Sequence, residues 1–184
     1  YKKCTVVRSY RAVPKLDQAQ VEAAAAAING AKKPLIVWGQ GVILGEAEAA
    51  FKAFVEKTQI PAAWTILGLS ALETDHPLNK GMVGMHGNYA PNLLTQECDV
   101  LIAIGMRFDD RVTGRLDAYA KQAKVIHLEI DPEEISKNVH ADYPVLANCK
   151  ESLEALTPLV ETKKLDTWMA RFDELYAKEY EAVI

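Results

Sequence analysis

Short apolar runs alternate along the chain with longer stretches of helical spacing. Residues 34–38 (Pro-Leu-Ile-Val-Trp) and 100–104 (Val-Leu-Ile-Ala-Ile) are unbroken apolar segments. Runs of that length, rich in branched side chains, read as strands buried on both faces. Residues 60–64, 124–130 and 143–146 supply three more strands. Between them, apolar positions recur three or four apart. Leu16, Val21, Ala24 and Ile28 mark a helix over 15–29, and Ala47, Ala50, Phe51, Phe54 and Val55 mark one over 46–57. Leu93 and Leu94 belong to a helix over 88–96, and residues 150–160 form the helix after the last strand. Asp131-Pro132, with Glu134 three positions on, predicts a further helix start. Residues 65–72 read as a loop, 73–80 as a polar turn, and 81–87 as a pliant loop of three glycines, two methionines and a histidine. Strands alternating with helices imply a three-layer α/β fold with a doubly wound parallel sheet. The domain spans 15–161. Residues 1–14 form an extended lead-in. Residues 162–184 form an amphipathic helix or linker towards a further domain, with Leu165, Trp168, Met169, Phe172, Leu175, Tyr176 and Tyr180 at helical spacing. It packs on the domain or bridges to a neighbour; without that neighbour, Trp168 and Phe172 are expected to stand open.

Composition narrows the function. The 184 residues are 49% hydrophobic and 25% charged, with a net charge of -4. That is enough apolar material for a core, and the wrong sign for a protein that grips a nucleic-acid backbone. No apolar run approaches a membrane span, and no signal peptide is evident. Cys4, Cys98 and Cys149 are scattered without ligand spacing. They indicate a reducing, cytoplasmic setting and no metal site. The start at Tyr1 reads as a piece of a longer polypeptide.

Candidate chemistry gathers where strands end. Strand 100–104 empties into Gly105, then Arg107, Asp109, Asp110 and Arg111. In open parallel sheets, ligands bind outside the carboxyl ends of strands. Paired arginines there suit an anionic ligand, although a solvated loop with surface ion pairs fits the same residues. Strand 34–38 runs into Gly39-Gln40-Gly41, a turn that either lets backbone N–H groups approach a phosphate or is simply tight. Gly45 lies four after Gly41 rather than three, and no acid ends the next strand, so the dinucleotide fingerprint is incomplete. Met85 and His86 are placed to wall a flat ring, or to serve as gap-filler and loop histidine. Glu129, at the end of its strand, is either a ribose or adenine acceptor or a rim acid. His127 reads as structural.

Several strings together resemble the catalytic large subunit of acetolactate synthase (acetohydroxyacid synthase). They are residues 32–41, Thr65-Ile-Leu-Gly-Leu69, Gly84-Met-His-Gly87, Gly105-Met-Arg-Phe-Asp-Asp-Arg-Val-Thr-Gly114 and Ile126-His-Leu-Glu-Ile-Asp-Pro132. The matched stretch, about 32–160, is similar to the central domain of these thiamine-diphosphate enzymes, a six-stranded parallel Rossmann-like sheet. The resemblance implies FAD bound in an extended pose. Gly39, Gln40 and Gly41 would face the ribityl-phosphate region. Thr65, Ile66 and Leu67 would lie along the flavin, with Gly84, Met85 and His86 walling it. Gly105, Arg107, Asp109, Arg111 and Val112 would contact ribityl, diphosphate and ring, and Glu129 and Ile130 the adenosine end. Positions matching Met85, Asp110 and Arg111 would also line a channel for herbicidal inhibitors.

The implied parent reaction is decarboxylation of pyruvate on thiamine diphosphate and magnesium, then addition to pyruvate or 2-oxobutyrate, for branched-chain amino-acid synthesis. The flavin would support architecture rather than cycle between redox states. Flanking thiamine-diphosphate domains of the same chain, a regulatory small subunit and a dimeric or tetrameric parent are implied, with no nucleic-acid or membrane partner. The piece alone would not catalyse. It carries no Gly-Asp-Gly followed by Asn for magnesium and diphosphate. Two positions depart from the family pattern. Ala147-Asn148 stands for the usual Gly-Asp, and Arg11, after Ser9-Tyr10, has a shifted spacing. The departure at 147–148 suits an alternative, an FAD-free structural or interaction domain of a related thiamine-diphosphate decarboxylase or carboligase. A stand-alone NAD-dependent deacylase on the same fold is remote, since zinc-spaced cysteines and a matching histidine motif are lacking.

Overall fold

A computed structural model describes residues 13–183; residues 1–12 of the lead-in, with Arg11 and Cys4, lie outside them. Six strands form one parallel sheet: β1 (Pro34–Trp38), β2 (Ala62–Trp64), β3 (Asn79–Met82), β4 (Val100–Ile104), β5 (Lys124–Glu129) and β6 (Tyr143–Leu146). Their spatial order is β3-β2-β1-β4-β5-β6, and every pairing is parallel. Strand order therefore reverses between β1 and β4, the switch point of a doubly wound sheet.

Burial on both faces explains the unbroken apolar strands. Ile36, Trp38, Ile102 and Ile104 point into one cluster, under α1 (Gln18–Gly30), α3 (Glu48–Thr58) and α6 (Cys149–Leu156). Leu35, Val37, Leu101 and Ala103 point into the other, under α4 (Tyr89–Thr95) and α7 (Asp166–Val183). Successive strand residues alternate between the two layers, as the pleat requires. Asp99 joins the central pair at their starts. Its carboxylate accepts from Lys32 N at 2.7 Å and Lys33 N at 2.8 Å.

The structure differs from the expected pattern in five places. β3 lies where a polar turn and a pliant loop were expected. Its sequence, Asn-Lys-Gly-Met, carries no apolar alternation because it is an edge strand, and Tyr176 of α7 covers it by donating to Lys80 O at 2.7 Å. A short helix, α2 (Gln40–Leu44), starts directly after Gly39, and another, α5 (Asp110–Thr113), follows Asp109. The helix expected from Asp131 does not form. Asp131 makes the first turn, accepting from Glu133 N and Glu134 N, but Ser136 then adopts a left-handed backbone with φ 58° and ends it. Finally, Trp168 and Phe172 do not stand open. They are 4% and 0% exposed, and the Trp168 indole donates to Pro34 O at 2.8 Å.

Candidate functional site

The carboxyl ends of the strands frame one long trough, with a cavity of about 550 Å³. Each strand contributes to it. Met82 ends β3, Thr65 follows β2, Gly39 follows β1, Gly105 follows β4, Glu129 ends β5, and Asn148 lies just past β6; all line the cavity. Six strands spaced about 4.8 Å apart give a trough roughly 24 Å long.

Its floor at the switch point is built from backbone in contact with backbone. A Cβ on Gly39 would stand 2.5 Å from Gly105 O, and one on Gly41 2.6 Å from Gly105 Cα. Gly41 N donates to Gly105 O at 2.9 Å, and Gly39 N donates to Ile104 O. These glycines are needed first so that the turns after β1 and β4 can cross. The tight-turn reading of Gly39-Gln40-Gly41 is thus correct, and the turn also opens onto the cavity.

Beyond Gly105 the loop carries Arg107, then Asp109, which caps α5 by accepting from Arg111 N at 3.0 Å. The two guanidiniums are loosely paired. Arg107 Nε lies 3.9 Å from Asp109, Arg111 Nε lies 3.9 Å from Asp110, and the side chains are 69% and 75% exposed. They remain free to meet a further anion.

The β5–β6 end is acidic and amide-rich, with Glu129, Asp131, Glu134 and Asn148. Glu129 Oε1 accepts from Ile130 N at 2.8 Å and Asp131 N at 3.1 Å. Burial still pushes its carboxyl above the ordinary range. Asn148 caps α6, its Oδ1 accepting from Lys150 N at 2.8 Å. Cys149 lies beneath, its thiol pushed up to about 12 by burial. The opposite end is apolar. Ile66 and Leu67, in a 3-10 turn (Ile66–Gly68) after β2, and Met85 are exposed there, with Val112 and His86 alongside.

The structure therefore brings nearly all the expected residues to one cavity: Gly39, Gln40, Gly41, Thr65, Ile66, Leu67, Met85, His86, Gly105, Arg107, Asp109, Arg111, Val112, Glu129 and Ile130. Gly84 does not line it. Its N–H and carbonyl are held by the Asn92 amide, and a Cβ there would lie 2.6 Å from Arg111 O. It seats the 81–87 loop against α5, and Met85 N donates to Arg111 O at 2.9 Å. Asp110 is likewise outside the lining, while His127 is fully buried, as a structural residue should be. Several lining residues were not foreseen, among them Leu44, Phe108, Asp131 and Glu134. Asp131 and Glu134 were assigned to a helix cap, and their place just past β5 was the signal that could have found them. Among the described residues, no cluster of histidine, cysteine and acidic side chains could hold a metal ion, and no helix is long and apolar enough to cross a membrane.

Comparison with known proteins agrees with this architecture. The family described as "Thiamine pyrophosphate enzyme, central domain" matches residues 21–156. The chain is 45% identical over 159 residues to the probable acetolactate synthase large subunit of Methanocaldococcus jannaschii, covering 85% of this chain and 27% of that protein. It is 44% identical over 151 residues to acetolactate synthase of Mycobacterium bovis, covering 82% and 24%. It is 45% identical over 138 residues to the large subunit of acetolactate synthase isozyme 2 of Escherichia coli, covering 75% and 25%. The chain thus spans about a quarter of the length of these curated relatives. A six-stranded doubly wound sheet, matched by that family over most of its length, places the chain in the thiamine pyrophosphate enzyme family, as its central domain.

Proposed function

We propose that this chain is the FAD-binding central domain of an acetolactate synthase large subunit. The observation that carries the reading is the division of one trough into three chemistries in the order a flavin dinucleotide needs. Carboxylates and an amide at the β5–β6 end suit ribose hydroxyls and adenine. Arg107 and Arg111, beside the glycine crossing, suit a diphosphate. Ile66, Leu67 and Met85 suit the faces of a flat ring. A trough roughly 24 Å long accommodates an extended dinucleotide. Bound FAD would supply a rigid, flat surface at the apolar end rather than redox turnover.

The parent enzyme would condense pyruvate with pyruvate or 2-oxobutyrate in the cytoplasm. Its thiamine diphosphate and magnesium would be held by flanking domains, with a regulatory small subunit and a homo-oligomeric large subunit. The present piece would be inactive alone. Titration with FAD, followed by flavin fluorescence, tests the site. Saturable binding is expected, weakened at least about tenfold by Arg107→Ala, the scale of one lost charge-assisted hydrogen bond. Equal affinity in that variant would overturn the assignment. One observation favours the FAD-free alternative: Asn148, standing where the family has an aspartate, is engaged as a helix cap. Failure of the full-length parent to retain FAD would decide for that alternative.

A further inference from the structure

Burial alternates along the loop that leaves β4. Met106 is 5% exposed and Phe108 2%, while Arg107 between them opens into the cavity. Both flanking carbonyls are held by side chains from elsewhere in the chain. Met106 O lies 2.8 Å from His127 Nε2, on β5. Phe108 O accepts from Asn138 Nδ2 at 3.0 Å, from the turns that follow β5.

The histidine's role is fixed by its partner. A carbonyl only accepts, so Nε2 carries the proton. Nδ1 is buried and has no partner among the described residues, which a bare lone pair tolerates better than a second N–H would. Burial also pushes the ring's pKa down, so it stays neutral. Phe108 adopts a left-handed backbone with φ 37°, uncommon for a bulky residue. Its ring is wedged edge-on against His127, with centroids 5.0 Å apart, and against Tyr119, at 6.1 Å. Such a conformation persists where its surroundings over-determine it.

We propose that His127 and Asn138 are positioning residues: by gripping the Met106 and Phe108 carbonyls, they fix the backbone on both sides of Arg107 and aim its guanidinium at the anionic part of the ligand. The ligand's identity rests on the flavin reading above; the grip does not.

The test has two arms, both run on the intact protein. The first needs no ligand. The N–H groups of Arg111, Val112 and Thr113 all donate to Asp109, so their hydrogen exchange reports on the loop. Asn138→Ala, at an exposed position, is expected to speed their exchange about tenfold while β4 keeps its protection. Unchanged exchange overturns the proposal. The second arm is a cycle with Arg107→Ala, read as affinity for FAD and for riboflavin, which lacks the diphosphate. Asn138→Ala and His127→Leu are each expected to weaken FAD about tenfold, and to lose that effect once Arg107 is gone. His127→Gln, which restores an N–H donor, recovers the affinity, and riboflavin binding does not change. The same loss with and without Arg107 would mark a merely structural role and refute positioning. Faster exchange in a protein whose wild type takes up no FAD would refute the flavin reading while supporting the grip.

Discussion

Three glycines allow the crossing beneath the trough to be separated into its physical parts. Gly41 lies inside α2, where alanine is at home; if space were free, Gly41→Ala would stabilise the chain by about 1 kcal/mol. Its Cβ would instead meet Gly105 Cα at 2.6 Å and Gly105 O at 3.0 Å. Those are backbone atoms, which no rotamer change can move aside. Overpacking of this kind costs about 1–3 kcal/mol, so the sign of the effect inverts. Gly114 offers the opposite case. It has φ 56° and ψ −121°, and nothing lies within 4 Å of its Cβ position. Gly114→Ala should therefore cost only backbone strain, about 1–3 kcal/mol. Gly105 combines the two, with φ 56° and a Cβ position 2.7 Å from Gly41 Cα and 2.9 Å from Cys149 Sγ. Gly105→Ala should lose about 2–6 kcal/mol, a large part of the total stability of about 5–15 kcal/mol usual for a domain. Urea unfolding of the purified chain gives each value as a shifted midpoint at unchanged slope. The double variant of Gly41 and Gly105 should lose less than the two single losses combined, because both strike the same contact. A Gly41→Ala chain more stable than the parent would refute the backbone crossing and the geometry built on it.

Other consequences are open to direct measurement. Burial raises the Glu129 carboxyl above its ordinary 4.5, so the folded chain holds that proton more tightly than the unfolded one. Its contribution to stability is present below pH 4.5 and is lost as pH rises through the folded value; Glu129→Gln, which still accepts from Ile130 N and Asp131 N, should gain stability at pH 7 relative to pH 4, and a parallel pH profile would contradict this. Phe172 is fully buried against Trp168 at 5.6 Å between centroids, so Phe172→Ala should lose about 3–5 kcal/mol in urea unfolding; a loss under about 1 kcal/mol would mean that α7 is loosely attached. Cys98 and Cys149 are buried, with thiols raised to about 12. In a Cys4→Ser chain, neither should react with a thiol reagent at pH 8 until the chain unfolds, and rapid native labelling would refute their burial.

How much was legible in the sequence follows from what each residue must satisfy. β1 and β4 are covered on both faces, so all ten of their residues are buried and the apolar signal is unbroken. β3 is paired on one side, and its Lys80 and Asn79 carry no such signal. The end of the turn at Ser136 could not be read locally, because Ser136 Oγ accepts from Ala141 N and Asn138 is drawn away to Phe108 O. The candidate site was legible because a parallel sheet sends every strand end to one edge, where Gly39, Gly105 and Glu129 converge. Phe108 was missed because its role depends on how the loop after β4 folds back, which spacing along the chain does not encode, whereas Glu134 was read only as part of a helix start.

The indole of Trp168 reaches a carbonyl 134 positions earlier, at the start of the first strand. The stretch that matches the family ends at residue 156, yet α7 beyond it completes the layer over Leu35, Val37, Leu101 and Ala103. A chain trimmed at the edge of the recognised region would keep its whole sheet and most of its trough, but leave that layer to α4 without α7. Closure between such distant partners also comes late and slows folding. During synthesis, that apolar layer stays incomplete until α7 emerges, so the segment that looks like a connector is part of the core.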